Sequence, residues 1–94
     1  TDHGLYILDE PEAALSAQSQ LSLLCLIDDL VKQGSQFIIA THSPILISYR
    51  NAKILDLNNG LEEVKYQDTD LYQLYKLYMN NPEAMQDKLF DSKG

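Results

Sequence analysis

The chain has 94 residues, 45% of them hydrophobic, and a formal net charge of −7 at pH 7. Its length predicts one small domain at most. The negative charge, with no local run of Lys and Arg, argues against direct nucleic-acid binding. No segment has the roughly 18 apolar residues of a membrane span. The single cysteine, Cys25, excludes an internal disulfide and is typical of a reducing, cytoplasmic setting.

The first residues do not have the pattern expected of a targeting signal. Residues 1–4 do not resemble a signal peptide, and a strand with core character follows them almost at once. We therefore expect the chain to be a piece of a longer protein. His3 has no motif around it and is assigned no function.

The first strand is predicted at residues 5–9. Four apolar residues precede Asp9, Glu10 and Pro11, which is the pattern of a buried strand of a parallel sheet covered on both faces. In open α/β sheets ligands bind beyond the carboxyl ends of such strands. The two carboxylates therefore mark a candidate nucleotide site. Alternatively they only begin a helix, because acidic residues and proline are favoured in the first turn.

A helix and a second strand follow. Ser16 is a suitable N-cap for a helix that runs to about Gln33, and Gly34 suits its C-terminal stop. Apolar residues cover more than one stripe of this helix, so we expect it to pack on several neighbours and to bury Cys25. The apolar run at residues 36–40 then completes a right-handed unit of strand, helix and parallel strand.

Polar residues follow both predicted strands. Asp9 and Glu10 end the first, and His42 comes shortly after the second. Adjacent strands lie about 4.8 Å apart, so these three side chains are expected to meet at one edge of the sheet and to reach a common ligand.

The second half of the sequence predicts a hairpin and two helices. Residues 52–57 and 61–66 flank an Asn59-Gly60 turn. Asp68 or Thr69 is expected to cap a helix over residues 70–79, and Pro82 to begin a last helix that ends near Phe90. Residues 91–94 are expected to fray.

The motifs resemble those of ABC-type ATPases. Residues 5–11 resemble the Walker B strand, residues 12–16 the D-loop, and residues 38–43 the strand that leads to the H-loop histidine. The order and spacing agree over nearly the whole chain. More closely, residues 8–16, 40–46 and 68–83 are similar to the soluble AAA/ABC-like predicted ATPases of bacteria. The resemblance implies an α/β fold, namely the C-terminal part of a three-layer P-loop NTPase domain.

The resemblance also implies roles for single residues. Asp9 would hold Mg²⁺, mostly through water, and Glu10 would polarise the water that attacks ATP. His42 would contact the γ-phosphate, and Ser16 would lie on the D-loop that approaches the nucleotide across a homodimer. The D-loop departs from the usual pattern at Glu12, at Ala13 and at Ser16, where an aspartate is common; N-capping explains Ser16 equally well.

The phosphate-binding loop is missing from this sequence. None of its four glycines is followed by lysine, so the Gly-x-x-x-x-Gly-Lys-Ser/Thr motif does not occur. A Q-loop and a signature motif are missing too, and in the family all three precede Walker B. We therefore predict that the full-length protein binds and hydrolyses Mg·ATP with the upstream part of the domain, whereas this chain alone binds ATP poorly and hydrolyses it at background rate.

Two other functions stay open at this point. The aromatic helix over residues 71–79 would suit a protein-interaction module, in which the carboxylates are only caps. A Mg²⁺-dependent nuclease would use Asp9, Glu10, Asp68 and Asp70. Unpaired sheet edges also predict self-association of the isolated chain.

Overall fold

The structure is a computed structural model that describes residues 4–91, so His3 and residues 92–94 of the predicted frayed end lie outside the described residues. Asp91, which was also expected to fray, is instead the last residue of the final helix. The chain divides into two compact units, one ending at Ala52 and the other beginning at Lys53. Within residues 4–91 each unit has its own two-stranded sheet.

The first unit alternates strands and helices as predicted. It consists of β1 (Leu5–Asp9), a 3₁₀ turn (Pro11–Ala14), α1 (Ala17–Lys32), β2 (Gln36–Ala40) and α2 (Pro44–Ile47). The strands pair in parallel, with Leu5 opposite Gln36 and Asp9 opposite Ala40. The rings of Tyr6 and Phe37 stack across this pair with centroids 4.8 Å apart. The predicted parallel unit of strand, helix and strand is confirmed.

The ends of α1 follow from its sequence. The Ser16 side chain accepts a hydrogen bond from the backbone N–H of Ser19, which satisfies one of the free donors of the first turn. Gln33 is the C-cap, and Gly34 follows with a φ of 101°, a left-handed conformation that glycine adopts without strain. Both predicted helix signals are confirmed.

The parallel sheet has one open face. Phe37 and Ile39 of β2 are half-buried, and α1 contacts β2. On the opposite face Leu5, Ile7 and Ile38 are 58%, 70% and 60% exposed. The prediction that both faces are covered is therefore wrong for residues 4–91, which leave the face of Leu5, Ile7 and Ile38 exposed.

The core of the first unit is small. Ile27 of α1 and Leu46 of α2 are its buried apolar residues among those described. The prediction that Cys25 is buried is wrong, since its side chain is exposed. Leu21 and Leu26 are also about half exposed. The wide apolar surface of α1 therefore exceeds what this unit can cover.

The segment after α2 is held to α1 by polar contacts. The Tyr49 hydroxyl donates to Asp28 Oδ1 at 2.7 Å, and Lys32 Nζ lies 2.9 Å from Asp28 Oδ2. The hydrogen bond from Lys32, followed by that from Tyr49, holds the pKa of Asp28 below its usual value. Asp28 therefore stays charged and keeps both partners at neutral pH.

The second unit is a hairpin followed by two helices. Antiparallel strands β3 (Ile54–Asp56) and β4 (Glu62–Val64) precede α3 (Asp70–Asn80) and α4 (Pro82–Asp91). The hairpin is confirmed, but its connection is longer than a two-residue turn. A 3₁₀ turn (Leu57–Asn59) comes first, and Gly60 and Leu61 then adopt φ values of 70° and 65°.

Thr69 rather than Asp68 is the N-cap of α3. Its Oγ1 accepts from the backbone N–H of Tyr72 and donates to the Tyr66 carbonyl. Further along the helix Leu74, Leu77 and Met79 are 58%, 61% and 70% exposed. None of the helices within residues 4–91 is long and apolar enough to span a bilayer.

Candidate functional site

The carboxyl ends of β1 and β2 lie side by side. Asp9 is the last residue of β1 and stands opposite Ala40, and the Glu10 N–H donates to the Ala40 carbonyl at 2.7 Å. His42 follows two residues after Ala40. The structure therefore brings Asp9, Glu10 and His42 to one edge of the sheet, as their positions after the strands predicted. All three are exposed.

Glu10 has an unusual backbone. Its φ of 47° and ψ of 56° lie in the left-handed region, which a residue with a Cβ adopts at a cost of about 1–2 kcal/mol. Pro11 then begins the 3₁₀ turn, where its fixed φ is suitable. This left-handed conformation turns the chain sharply at the strand end, and the Glu10 carboxylate is exposed at the sheet edge.

Glu12 links the two strand ends. Its Oε1 accepts from the Thr41 hydroxyl at 2.7 Å, and its Oε2 accepts from the backbone N–H of His42 at 3.1 Å. Thr41 Oγ1 in turn accepts from the Ser43 N–H at 3.0 Å. One carboxylate thus organises the three residues that follow β2.

The pKa of Glu12 reflects these contacts. Partial burial raises the pKa of Glu12. The hydrogen bonds from Thr41, from its own backbone and from His42, together with the electrostatic interaction with the His42 side chain, outweigh that effect and lower the pKa below 4.5. Glu12 is therefore ionised at neutral pH, and its hydrogen bonds are of the stronger, charge-assisted kind.

A second contact holds the same loop from α1. The Ser43 hydroxyl donates to Gln20 Oε1, and Gln20 Nε2 donates to the Leu15 carbonyl at 3.3 Å. Ser43 is buried, and its Oγ accepts from the Leu46 N–H as the N-cap of α2. The loop that carries His42 is therefore fixed on both sides, while the imidazole stays exposed.

Ser16 lies at the start of α1, beyond the 3₁₀ turn. Besides capping the helix, its hydroxyl donates to Ser19 Oγ at 3.1 Å. The side chain is exposed. The capping interpretation is confirmed, and its exposure leaves the hydroxyl accessible to a further ligand.

The acidic groups at this edge can be compared with what Mg²⁺ requires. In nucleotide sites this ion is bound by one or two carboxylates, with water and phosphate oxygens completing its octahedron. Asp9 offers one exposed carboxylate at the strand end. No group of three or more His, Cys, Asp or Glu side chains suited to a metal occurs within residues 4–91. The donor set fits a metal held largely by its substrate.

Sequence reasoning missed Glu12 and Gln20 as parts of the site. Comparison with the D-loop motif shows Glu12 only as a departure from the usual pattern. A third carboxylate so close to Asp9 and Glu10, and a hydroxyl at the end of the partner strand, were the available signals. Their contact depends on the path of the 3₁₀ turn, which the sequence pattern does not specify.

Comparison with known proteins gives one relative to describe. Over 71 residues the chain is 34% identical to a protein of Pyrococcus furiosus named "Putative ABC transporter ATP-binding protein". The chain is therefore similar in sequence to part of an ABC-type ATP-binding protein. The aligned part is 76% of this chain and 26% of the relative, so the chain spans about a quarter of that protein's length.

The other two comparisons give no relative. No protein-family model matches the chain, and no solved structure matches it significantly. The similarity to an ABC-type ATP-binding protein therefore depends on a sequence alignment with a longer protein. The mixed helices and strands of this chain, with a small parallel sheet, are compatible with an α/β fold.

Proposed function

We propose that this chain forms the carboxyl-terminal part of a P-loop NTPase domain in an ABC-type ATPase that binds and hydrolyses Mg·ATP. The observation that carries the proposal is the meeting of Asp9, Glu10 and His42 at one edge of a parallel sheet. Ligands of open α/β sheets bind at this edge. The similarity to an ATP-binding protein supports the same conclusion.

Each residue at the edge has a chemical role in this proposal. Asp9 would hold Mg²⁺ with its carboxylate. When bound, the ion would neutralise the negative charge that develops during phosphoryl transfer. Glu10 accepts a hydrogen bond from the attacking water and orients it. His42 approaches the γ-phosphate, where a ring nitrogen can donate or accept.

The proposal requires more than this chain contains. The phosphate-binding loop has to come from the upstream part of the domain, and the open face of the sheet around Ile7 and Ile38 supports such a partner. Two such domains would pair as a homodimer around ATP, with Ser16 near the nucleotide of the partner. We place this protein in the cytoplasm.

The test compares the chain alone with the same chain joined to the upstream sequence of its gene. We expect only the longer protein to bind and hydrolyse Mg·ATP. Its Glu10→Gln variant should bind ATP with unchanged affinity and lose at least 100-fold in turnover, because general-base groups contribute about 10²–10⁴-fold. A longer protein that neither binds nor hydrolyses ATP would overturn the proposal.

A second candidate is a protein-interaction module. The exposed apolar side chains of α3, among them Leu77 and Met79, favour it. In that case the longer protein would show no ATP turnover, and Leu77→Asp would abolish partner binding while Glu10→Gln would not. The nuclease alternative has less support, because the net charge of −7 disfavours binding to the DNA phosphate backbone.

A further inference from the structure

The carboxylate of Glu12 makes two hydrogen bonds to residues 29 and 30 positions away. One oxygen receives the Thr41 hydroxyl and the other the His42 N–H. Both oxygens are therefore used, and each contacts a residue of the loop after β2. No backbone pairing requires this link, since the β1–β2 register ends at Asp9 and Ala40.

Replacing the carboxylate would free the backbone on which His42 is placed. Thr41 Oγ1 holds the Ser43 N–H as well as Glu12, so the loss of Glu12 would loosen three consecutive residues. The imidazole of His42 is exposed, so its direction depends mainly on its backbone.

We propose that Glu12 is a positioning residue, which fixes the direction of the His42 side chain by holding the Thr41 hydroxyl and the His42 N–H. The inference rests on the proposed function, in which His42 acts on the γ-phosphate. Glu12 itself does not contact the reacting atoms. It makes the turn that carries Glu10 and the loop that carries His42 move as one body, so the attacking water and the phosphate contact keep a fixed relation.

The first experiment measures the link without using catalysis. Glutamine at position 12 keeps the shape of the side chain but offers one oxygen acceptor and one NH₂ group, so it cannot accept both bonds. By NMR of the chain we expect amide hydrogen exchange at His42 and Ser43 to be at least 10-fold faster in Glu12→Gln. Glu83→Gln, a matched change in the first turn of α4, should leave these rates unchanged.

The second experiment measures turnover in the longer protein. We expect Glu12→Gln to lower kcat about 10- to 100-fold, since misplacement by about 1 Å has such effects, with KM for Mg·ATP changed less than about twofold. Thr41→Val, which removes the hydroxyl, should behave alike. Thr41→Ser keeps the hydroxyl and should retain kcat. The comparison of Thr41→Val with Thr41→Ser tests the same link if Glu12→Gln does not fold.

The outcomes separate this inference from the proposed function. If the unchanged longer protein hydrolyses ATP but Glu12→Gln matches Glu83→Gln in kcat and amide exchange, the positioning role is wrong. It is also wrong if Thr41→Ser and Thr41→Val lose kcat equally. If the unchanged protein has no ATP turnover, the proposed function fails, and faster exchange in Glu12→Gln would then identify a structural link without a catalytic purpose.

Discussion

At the scale of single residues, Glu10 combines backbone strain with the position expected of a catalytic group. Strained backbone conformations are retained where the surrounding structure imposes them, and they concentrate at functional sites. The hydrogen bond from Glu10 N–H to Ala40 and the following proline impose it here. Evolution toward stability alone would favour glycine at this position.

We therefore predict that Glu10→Gly stabilises the chain while removing activity. Glycine removes about 1–2 kcal/mol of backbone strain from the folded state. This exceeds the about 0.4–1 kcal/mol by which the greater conformational entropy of glycine stabilises the unfolded state. The net gain in unfolding free energy should be about 0.5–1 kcal/mol by urea unfolding. Glu10→Gln keeps the Cβ and is the control that should show no gain. Equal stabilities for all three proteins would contradict the role of strain.

Glu12 predicts a pH dependence of stability. Its folded pKa lies below the ordinary value of 4.5, so the unfolded chain binds more protons between these values and acid favours unfolding. The stabilisation should be complete above about pH 5 and should decline as pH falls through the folded pKa. Urea unfolding of the wild-type chain and Glu12→Gln at several pH values measures it. A stability difference that is constant from pH 3 to 7 would count against the prediction.

Local sequence patterns predicted most of the fold. They failed where the burial of a side chain depends on a neighbouring element that these residues do not include, or where a contact depends on the conformation of a turn. The apolar run before Asp9 and the Ser16 cap specify their elements, and these are confirmed. The prediction that Cys25 is buried is wrong. The wide apolar surface of α1 suggests packing against several neighbouring elements, and the described residues do not provide all of them. The contact of Glu12 with Thr41 depends on the strained turn at Glu10, and the spacing of apolar residues does not predict the conformation of such a turn.

At the scale of elements, α1 connects the two strands and determines whether they can pair. Its cap is therefore a sensitive position. We predict that Ser16→Ala lowers the unfolding free energy of the chain by about 1 kcal/mol, because the Ser19 N–H loses its acceptor. Ser16→Asp preserves an acceptor and should keep the stability. Thermal unfolding followed by circular dichroism checks both, and a fully stable alanine variant would contradict the capping role.

At the scale of the whole molecule, the open sheet face should make the isolated chain associate with itself. Apolar side chains beside unpaired strand edges favour such pairing. We predict that the mean mass in sedimentation rises with concentration and that Ile38→Lys reduces this rise. Leu57→Lys alters a side chain that is 78% exposed in the other unit and should not. A monomer at all concentrations would contradict the prediction.

The parallel pairing of β1 with β2 has a consequence for how fast the chain folds. Leu5 pairs with a residue roughly 30 positions away, whereas Ile54 pairs about ten positions away. Closing the longer loop costs about 1 kcal/mol more entropy, and such non-local contacts slow folding. β1 is synthesised first, but it cannot pair until β2, which follows α1 in the sequence, has been formed. Refolding in stopped flow should therefore show a slower phase for the first unit, which Ser16→Ala slows further. A single phase unaffected by that variant would refute this order of events.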